Sequence, residues 1–159
     1  MADYHPLIVH FPIALLITGS LAEFFALIFK RDDLRHFAFW ALVLGLTGTI
    51  AAYISGSIAE EAVEHIPSLH NSLEAHEEIA TIALCTWIGL VGLRILLTLR
   101  NWLDSSIFRV YLALLMAGTI LIGITGYRGG QLVYQHGAGF HLSQTYKPTS
   151  SKHIDNDDD

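Results

Sequence analysis

The chain opens His5-Pro-Leu-Ile-Val-His10-Phe-Pro12, two imidazoles at the mouth of a long apolar run. Neutral imidazole is the commonest protein ligand for metals and a standard axial ligand for haem iron. Nine histidines are present. Only His36 falls among the basic loops; His5, His10, His65, His70, His76, His136, His141 and His153 all fall toward the other ends of the apolar runs or in the tail. A single histidine at a membrane interface is ordinary, whereas a cluster on one side points to a metal or a metal-bearing cofactor. Spacing restricts the ligand set. His5 and His10 are separated by about 140° on a regular helix, so they do not aim at one atom. His10 and His76 each stand about one turn from the outer edge of an apolar run, and this pair is the expected axial set for a haem iron. His5 and His136 are expected near the haem or holding a second one.

The elements that must position these residues are membrane helices. The chain has 159 residues, 52% hydrophobic and 15% charged, with positive mean hydropathy. The apolar residues gather in runs at 7–29, 37–54, 79–99 and 110–127, each long enough to cross roughly 30 Å of hydrocarbon. The first run has no basic segment before it and no small-residue cleavage site after it, so it reads as a span rather than a signal peptide. The lone cysteine, Cys85, permits no disulfide framework. The spacing predicts an all-α membrane protein, an up-down bundle of four transmembrane helices over about 7–29, 37–65, 72–99 and 108–136. These helices make one domain, 1–142, followed by a polar and acidic tail, 143–159, with the composition of a disordered segment.

Charge supplies the orientation. Lys30, Arg31 and Arg35 follow the first run, and Arg94, Arg100 and Arg109 lie at the end of the third helix and in the loop after it; together they are most of the nine basic residues. The acidic residues Glu60, Glu61, Glu64, Glu74, Glu77 and Glu78 lie on the other side. The positive-inside rule then places both termini and the histidine cluster on the non-cytoplasmic side of the cytoplasmic membrane.

Several local features carry expectations. Pro6 suits a first helical turn, and Pro12 is expected to kink or loosen the helix beside His10. Glu23, two turns from the cytoplasmic end of the first span, is a functional candidate as an intramembrane carboxylate, unless it simply reaches the interface or meets Arg94 across the bundle. Ala41, Gly45 and Thr49, and again Gly48, Ala52 and Gly56, have the spacing that lets backbones or a flat ligand approach closely. Asn71-Ser-Leu-Glu74 has capping-box spacing. Gly129-Gly130 permits residues 131–136 to fold back as a lid, or else the helix continues and ends at Gly137. No internal repeat stands out beyond two helix pairs of similar length.

An up-down-up-down bundle places helices 1 and 3 diagonally, so histidines at one depth on both can hold an iron between them. The small residues of helices 2 and 4 would form the slot for a flat macrocycle. A ligating imidazole needs an acceptor at its second nitrogen, for which Glu77, Glu78 or a carbonyl freed by Pro12 is available. The leading reading is a membrane-embedded b-type cytochrome with one or two haem b groups, passing electrons between quinone and a periplasmic redox partner. Copper, zinc or non-haem iron binding suits the same histidines, and a non-catalytic assembly subunit, alone or as a homo-oligomer, is a third reading. No Cys-x-x-Cys-His run is present, which excludes c-type haem attachment. No phosphate-cradling loop or hydrolase nucleophile motif appears, and the few membrane-flanking cations offer no nucleic-acid surface.

The opening His5-Pro-Leu-Ile-Val-His10-Phe-Pro-Ile-Ala-Leu, together with Gly126-Tyr-Arg-Gly-Gly-Gln-Leu-Val-Tyr-Gln-His136-Gly-Ala-Gly, resembles the bacterial membrane-protein family catalogued as "domain of unknown function 2231". The resemblance runs to about residue 141. It implies a four-helix membrane domain in which His5, His10, His76 and His136 match histidines of the family pattern. Some members look fused to Rieske-type iron–sulfur domains or encoded near cytochromes, which implies electron transfer.

Overall fold

The structure, a computed structural model, describes residues 5–61, 69–103 and 106–134. It contains four helices: α1 His5–Phe29, α2 Asp32–Glu61, α3 His70–Leu99 and α4 Ser106–Tyr134. All four are long and apolar enough to cross a membrane. Only 33–39% of each span's most apolar stretch is buried within the protein. The remainder is an outward face of large apolar side chains such as Phe11, Trp40, Leu44 and Ile120, as expected of helices solvated by lipid.

The helices form a ring in chain order. The α1–α2 and α3–α4 seams are the broadest, and lighter α2–α3 and α1–α4 seams close the ring. Helices α1 and α3 are therefore diagonal, as are α2 and α4. The broad seams exist because glycine lets backbones approach. A β-carbon at Gly45 would stand 2.6 Å from Leu16 Cδ2, and one at Gly118 would stand 2.6 Å from Leu90 Cδ1. Here the small-residue series of α2 serves helix packing: Gly45 receives Leu16, Gly48 faces Pro12 and Phe11, and Ala41 contacts the Gly19 backbone region.

The two hairpins also turn alike. Lys30 and Asn101 adopt left-handed backbone angles, φ 50° and 55°. The following amides reach back, Arg31 N–H to the Ala26 carbonyl at 3.2 Å and Trp102 N–H to the Leu97 carbonyl at 2.9 Å. Both first helices thus end in the same six-to-one capping turn.

Two local expectations change. Helix α4 runs unbroken through Gly129-Gly130 to Tyr134, so residues 131–134 extend the helix and do not fold back as a lid. In lipid an unpaired backbone group costs several kcal/mol, roughly, so even two glycines stay in the hydrogen-bonded helix. Asn71 does not cap α3. The helix starts at His70 with Leu69 as its cap residue and no side-chain cap; Leu69 is buried and its carbonyl accepts from Ser72 and Leu73 N–H. Burial of Leu69 has set the helix start. Pro12 lies inside α1 without ending it, its ring buried against Gly48.

Packing is unequal along the bundle. Toward the α1–α2 and α3–α4 turns the centre is filled by Trp87, Leu97, Phe108 and Tyr111, all essentially inaccessible. At the other end the inward positions are Ala52, Gly56, Ala80, Ala83, Gly126 and Gly129, and these cannot fill the space between four helices. A cavity of 490 Å³ results.

Candidate functional site

The cavity opens at the end of the bundle where α1 and α3 begin and α2 and α4 finish. Its wall is largely apolar, from Val9, Pro12, Ile13 and Ile122. Its volume lies in the range of pockets for small molecules and cofactors, roughly 300–1,000 Å³. Three imidazoles line it, His5, His10 and His76, together with two carboxylates, Glu60 and Glu77, and several hydroxyls. Helical periodicity alone did not place His5 with the others; as the first residue of α1 it reaches the cavity from the helix end.

The three histidines differ in surroundings. His10 is exposed. His5 and His76 are half-buried, each with its ring edge against a glycine of the neighbouring helix. A β-carbon at Gly56 would stand 3.1 Å from His5 Cε1, and one at Gly129 would stand 3.1 Å from His76 Cε1. His5 Nδ1 is hydrogen-bonded to Ser55 Oγ at 2.9 Å, so its Nε2 is the nitrogen left to serve a ligand. Burial pushes the His5 pKa below the usual histidine value, and the Ala52 carbonyl only partly offsets this. His5 is thereby kept in the neutral form that ligates. His76 Nδ1 is buried and has no hydrogen-bond partner among the described residues. His5 and His76 are close enough to interact electrostatically, and Arg128 acts on His76 in the same way.

The remaining candidates are placed apart. His70 and His36 are exposed, and His36 Nδ1 bonds the Asp32 carbonyl at the opposite end. His65, His136, His141 and His153 lie outside the described residues, as does the junction between the four-helix domain and the tail. Glu77 lines the cavity, but the acceptor actually found for a site imidazole is Ser55. No group of three or more His, Cys, Asp or Glu side chains close enough to hold a metal ion is present among the described residues.

A second polar site lies at the far end. Glu23 of α1 and Arg94 of α3 form an ion pair across the bundle centre, both buried. Arg94 also donates to Thr98 Oγ1 and lies over the Phe39 ring, 5.6 Å from its centroid. Of the two expectations for Glu23, contact with Arg94 is the one found.

These two sites reveal a regularity that helix lengths alone did not. Seventy-one residues separate His5 from His76, Glu23 from Arg94, Leu16 from Trp87 and Lys30 from Asn101. Seventy-three separate Gly45 from Gly118 and Gly56 from Gly129. The second hairpin repeats the first, with two residues added in its turn. Glu23 and Arg94 touch on the bundle axis. His5 and His76 each precede their member of that pair by 18 residues, about five whole turns, so both return to the axis-facing side of their helices about 27 Å away. A histidine and a glycine at this fixed offset were visible in the sequence; pairing histidines by depth passed over them.

A family profile described as "Predicted membrane protein (DUF2231)" matches residues 3–141. The chain belongs to this family. No curated protein and no solved structure matches the chain. The match spans all four helices and both hairpin turns. The DUF2231 domain here is therefore the whole bundle, cavity included.

Proposed function

We propose that this DUF2231 protein holds a haem b in its cavity, with His5 and His76 as axial ligands, and serves in membrane electron transfer. The observation that carries the reading is the matched pair of imidazoles, one from each hairpin, on diagonal helices and both lining one apolar cavity. The residues fit the group on three counts. His76 Nδ1 is a buried polar atom awaiting a partner. A β-carbon at Gly123 or Gly130 would meet open space, which leaves a slot along α4. Two protein ligands suffice for a macrocycle that supplies its own four nitrogens, whereas a bare zinc or copper ion takes three or four from the protein.

Haem so bound supplies a one-electron couple, its potential set by the two imidazoles and the burial around them. The chain's own residues do the rest. Ser55 fixes the His5 tautomer, Gly56 and Gly129 admit the imidazoles, and Val9, Ile13 and Ile122 keep water from the cavity wall. His10, exposed at the rim, takes a place beside the cofactor, and His136 is assigned with it from the family resemblance. Quinone and a periplasmic redox protein are the proposed partners. Protein purified in detergent from haem-sufficient cells should show a Soret band that shifts on dithionite reduction. A colourless preparation would refute the reading.

We assign the cavity to the non-cytoplasmic face on the basic residues around the two tight turns, Lys30, Arg31, Arg100 and Arg109. A single cysteine placed at Asn101 of a Cys85→Ser background should resist a membrane-impermeant maleimide in intact spheroplasts and react in inverted vesicles. Labelling in the intact spheroplasts would reverse the assignment.

A further inference from the structure

The far-end polar site holds more than its ion pair can satisfy. Glu23 is fully buried, and only its Oε1 is engaged, by Arg94 Nε; Glu23 Oε2 has no hydrogen-bond partner among the described residues. Tyr111 of α4 is 1% exposed, and its hydroxyl likewise has none. The two groups lie at one depth on neighbouring helices, Glu23 about six residues before the end of α1 and Tyr111 about five after the start of α4, and both side chains are buried. One is an acceptor with lone pairs to spare and the other a donor. A buried group of either kind left without a partner is costly, and a charged one more so.

Nearby groups add to the polar surroundings without relieving either atom. Ser20 lies one turn before Glu23 on the same side of α1. Its hydroxyl is buried and donates to the Leu16 carbonyl at 2.7 Å, which leaves its lone pairs as acceptors. Arg35 of α2 interacts with Glu23 at longer range and lies over the Phe108 ring, 5.9 Å from the centroid. Glu23 on α1, Arg35 on α2, Arg94 on α3 and Tyr111 on α4 are thus the titratable groups that face this point from the four helices. The layer of Leu16, Trp87, Leu90 and Leu115 separates it from the histidine cavity.

We propose that this site binds an internal water, which accepts the Tyr111 hydroxyl proton and donates to Glu23 Oε2. Water is the ligand whose chemistry matches: it accepts from the phenol, donates to the carboxylate, and keeps a second proton for Ser20 Oγ. Buried waters make about three such bonds and occupy polar sites of this kind. An ion would not serve here, because any cation would meet Arg94 and any anion Glu23.

The sign of one substitution decides between a hydrated and a dry site. If water joins the two groups, Tyr111→Phe removes a satisfied hydroxyl, strands the water, and lowers the thermal midpoint in detergent by several degrees. If the site is dry, the same change deletes an orphaned hydroxyl, and the midpoint stays or rises; that result would overturn the proposal. Infrared difference spectra of wild-type protein in H2(18)O against H2(16)O supply an independent readout. A shifted O–H stretch of a strongly bound water, absent from Tyr111→Phe, is expected. No such band in the wild type would also overturn it. Neither readout depends on a bound haem.

Discussion

His76→Ala and His5→Ala should each abolish the Soret band of the purified protein, whereas His10→Ala should retain it. The asymmetry follows from position. His5 and His76 sit at equivalent places in two matching hairpins, each against a glycine, while His10 is exposed at the rim. In the proposed site, removing either imidazole would remove a bond to the iron itself. Ser55→Ala leaves both ligands but frees the His5 Nδ1, and loss of such an orienting partner costs about 10–100-fold in affinity. Gly129→Val acts from the other side, because a β-carbon there already stands 3.1 Å from the His76 ring and a branched side chain would displace it. The five variants together, assayed by haem titration of apoprotein, give an order: His76→Ala and His5→Ala weakest, Ser55→Ala and Gly129→Val intermediate, His10→Ala close to wild type. Loss of haem from His10→Ala with retention in His5→Ala would instead assign the α1 ligand to His10, the pairing that depth along the helices first suggests.

The second large effect is expected at the ion pair. Glu23→Ala or Arg94→Ala leaves one uncompensated charge buried at the centre of the bundle, and breaking a buried pair in this way costs about 3–5 kcal/mol. Glu23→Leu combined with Arg94→Leu removes both charges and should recover most of that loss, since well-packed apolar replacements of buried pairs are often neutral or stabilising. The repeat adds a sharper case. Positions 23 and 94 are equivalent in the two hairpins, so the charge-swapped double variant, Glu23→Arg with Arg94→Glu, should be more stable than either swapped residue alone. Thermal or denaturant unfolding in detergent measures all of these. Equal stability of the single and double variants would show that the pair is not coupled across the axis.

The membrane spans were legible because lipid imposes the simplest of patterns, long apolar runs with charges confined to their ends. The ring order followed from short turns, which force consecutive helices to be neighbours. What periodicity did not show was which inward positions would be filled. Trp87, Phe108 and Tyr111 close one end of the bundle and Ala52, Ala80 and Ala83 leave the other open, a contrast that emerges only once the helices are in register. Gly129-Gly130 misled for a definite reason. Glycine pairs break helices in water, where the freed backbone is solvated, but in a bilayer the helix is the only state that satisfies it. At Gly129 the missing side chain makes room for the His76 ring rather than for a turn. The pairing of Glu23 with Arg94 was available as one of two readings, and the 71-residue offset shared with His5 and His76 would have chosen between them.

In the proposed site two imidazoles, one from each hairpin, ligate one iron. Low-temperature electron paramagnetic resonance of the oxidised, detergent-purified protein tests this most directly. Two neutral imidazoles produce a low-spin ferric signal, and that signal is predicted for the wild type, with conversion to high spin or loss of iron in His76→Ala. A wild-type spectrum that is high spin, or that carries no haem iron signal at all, would contradict the account.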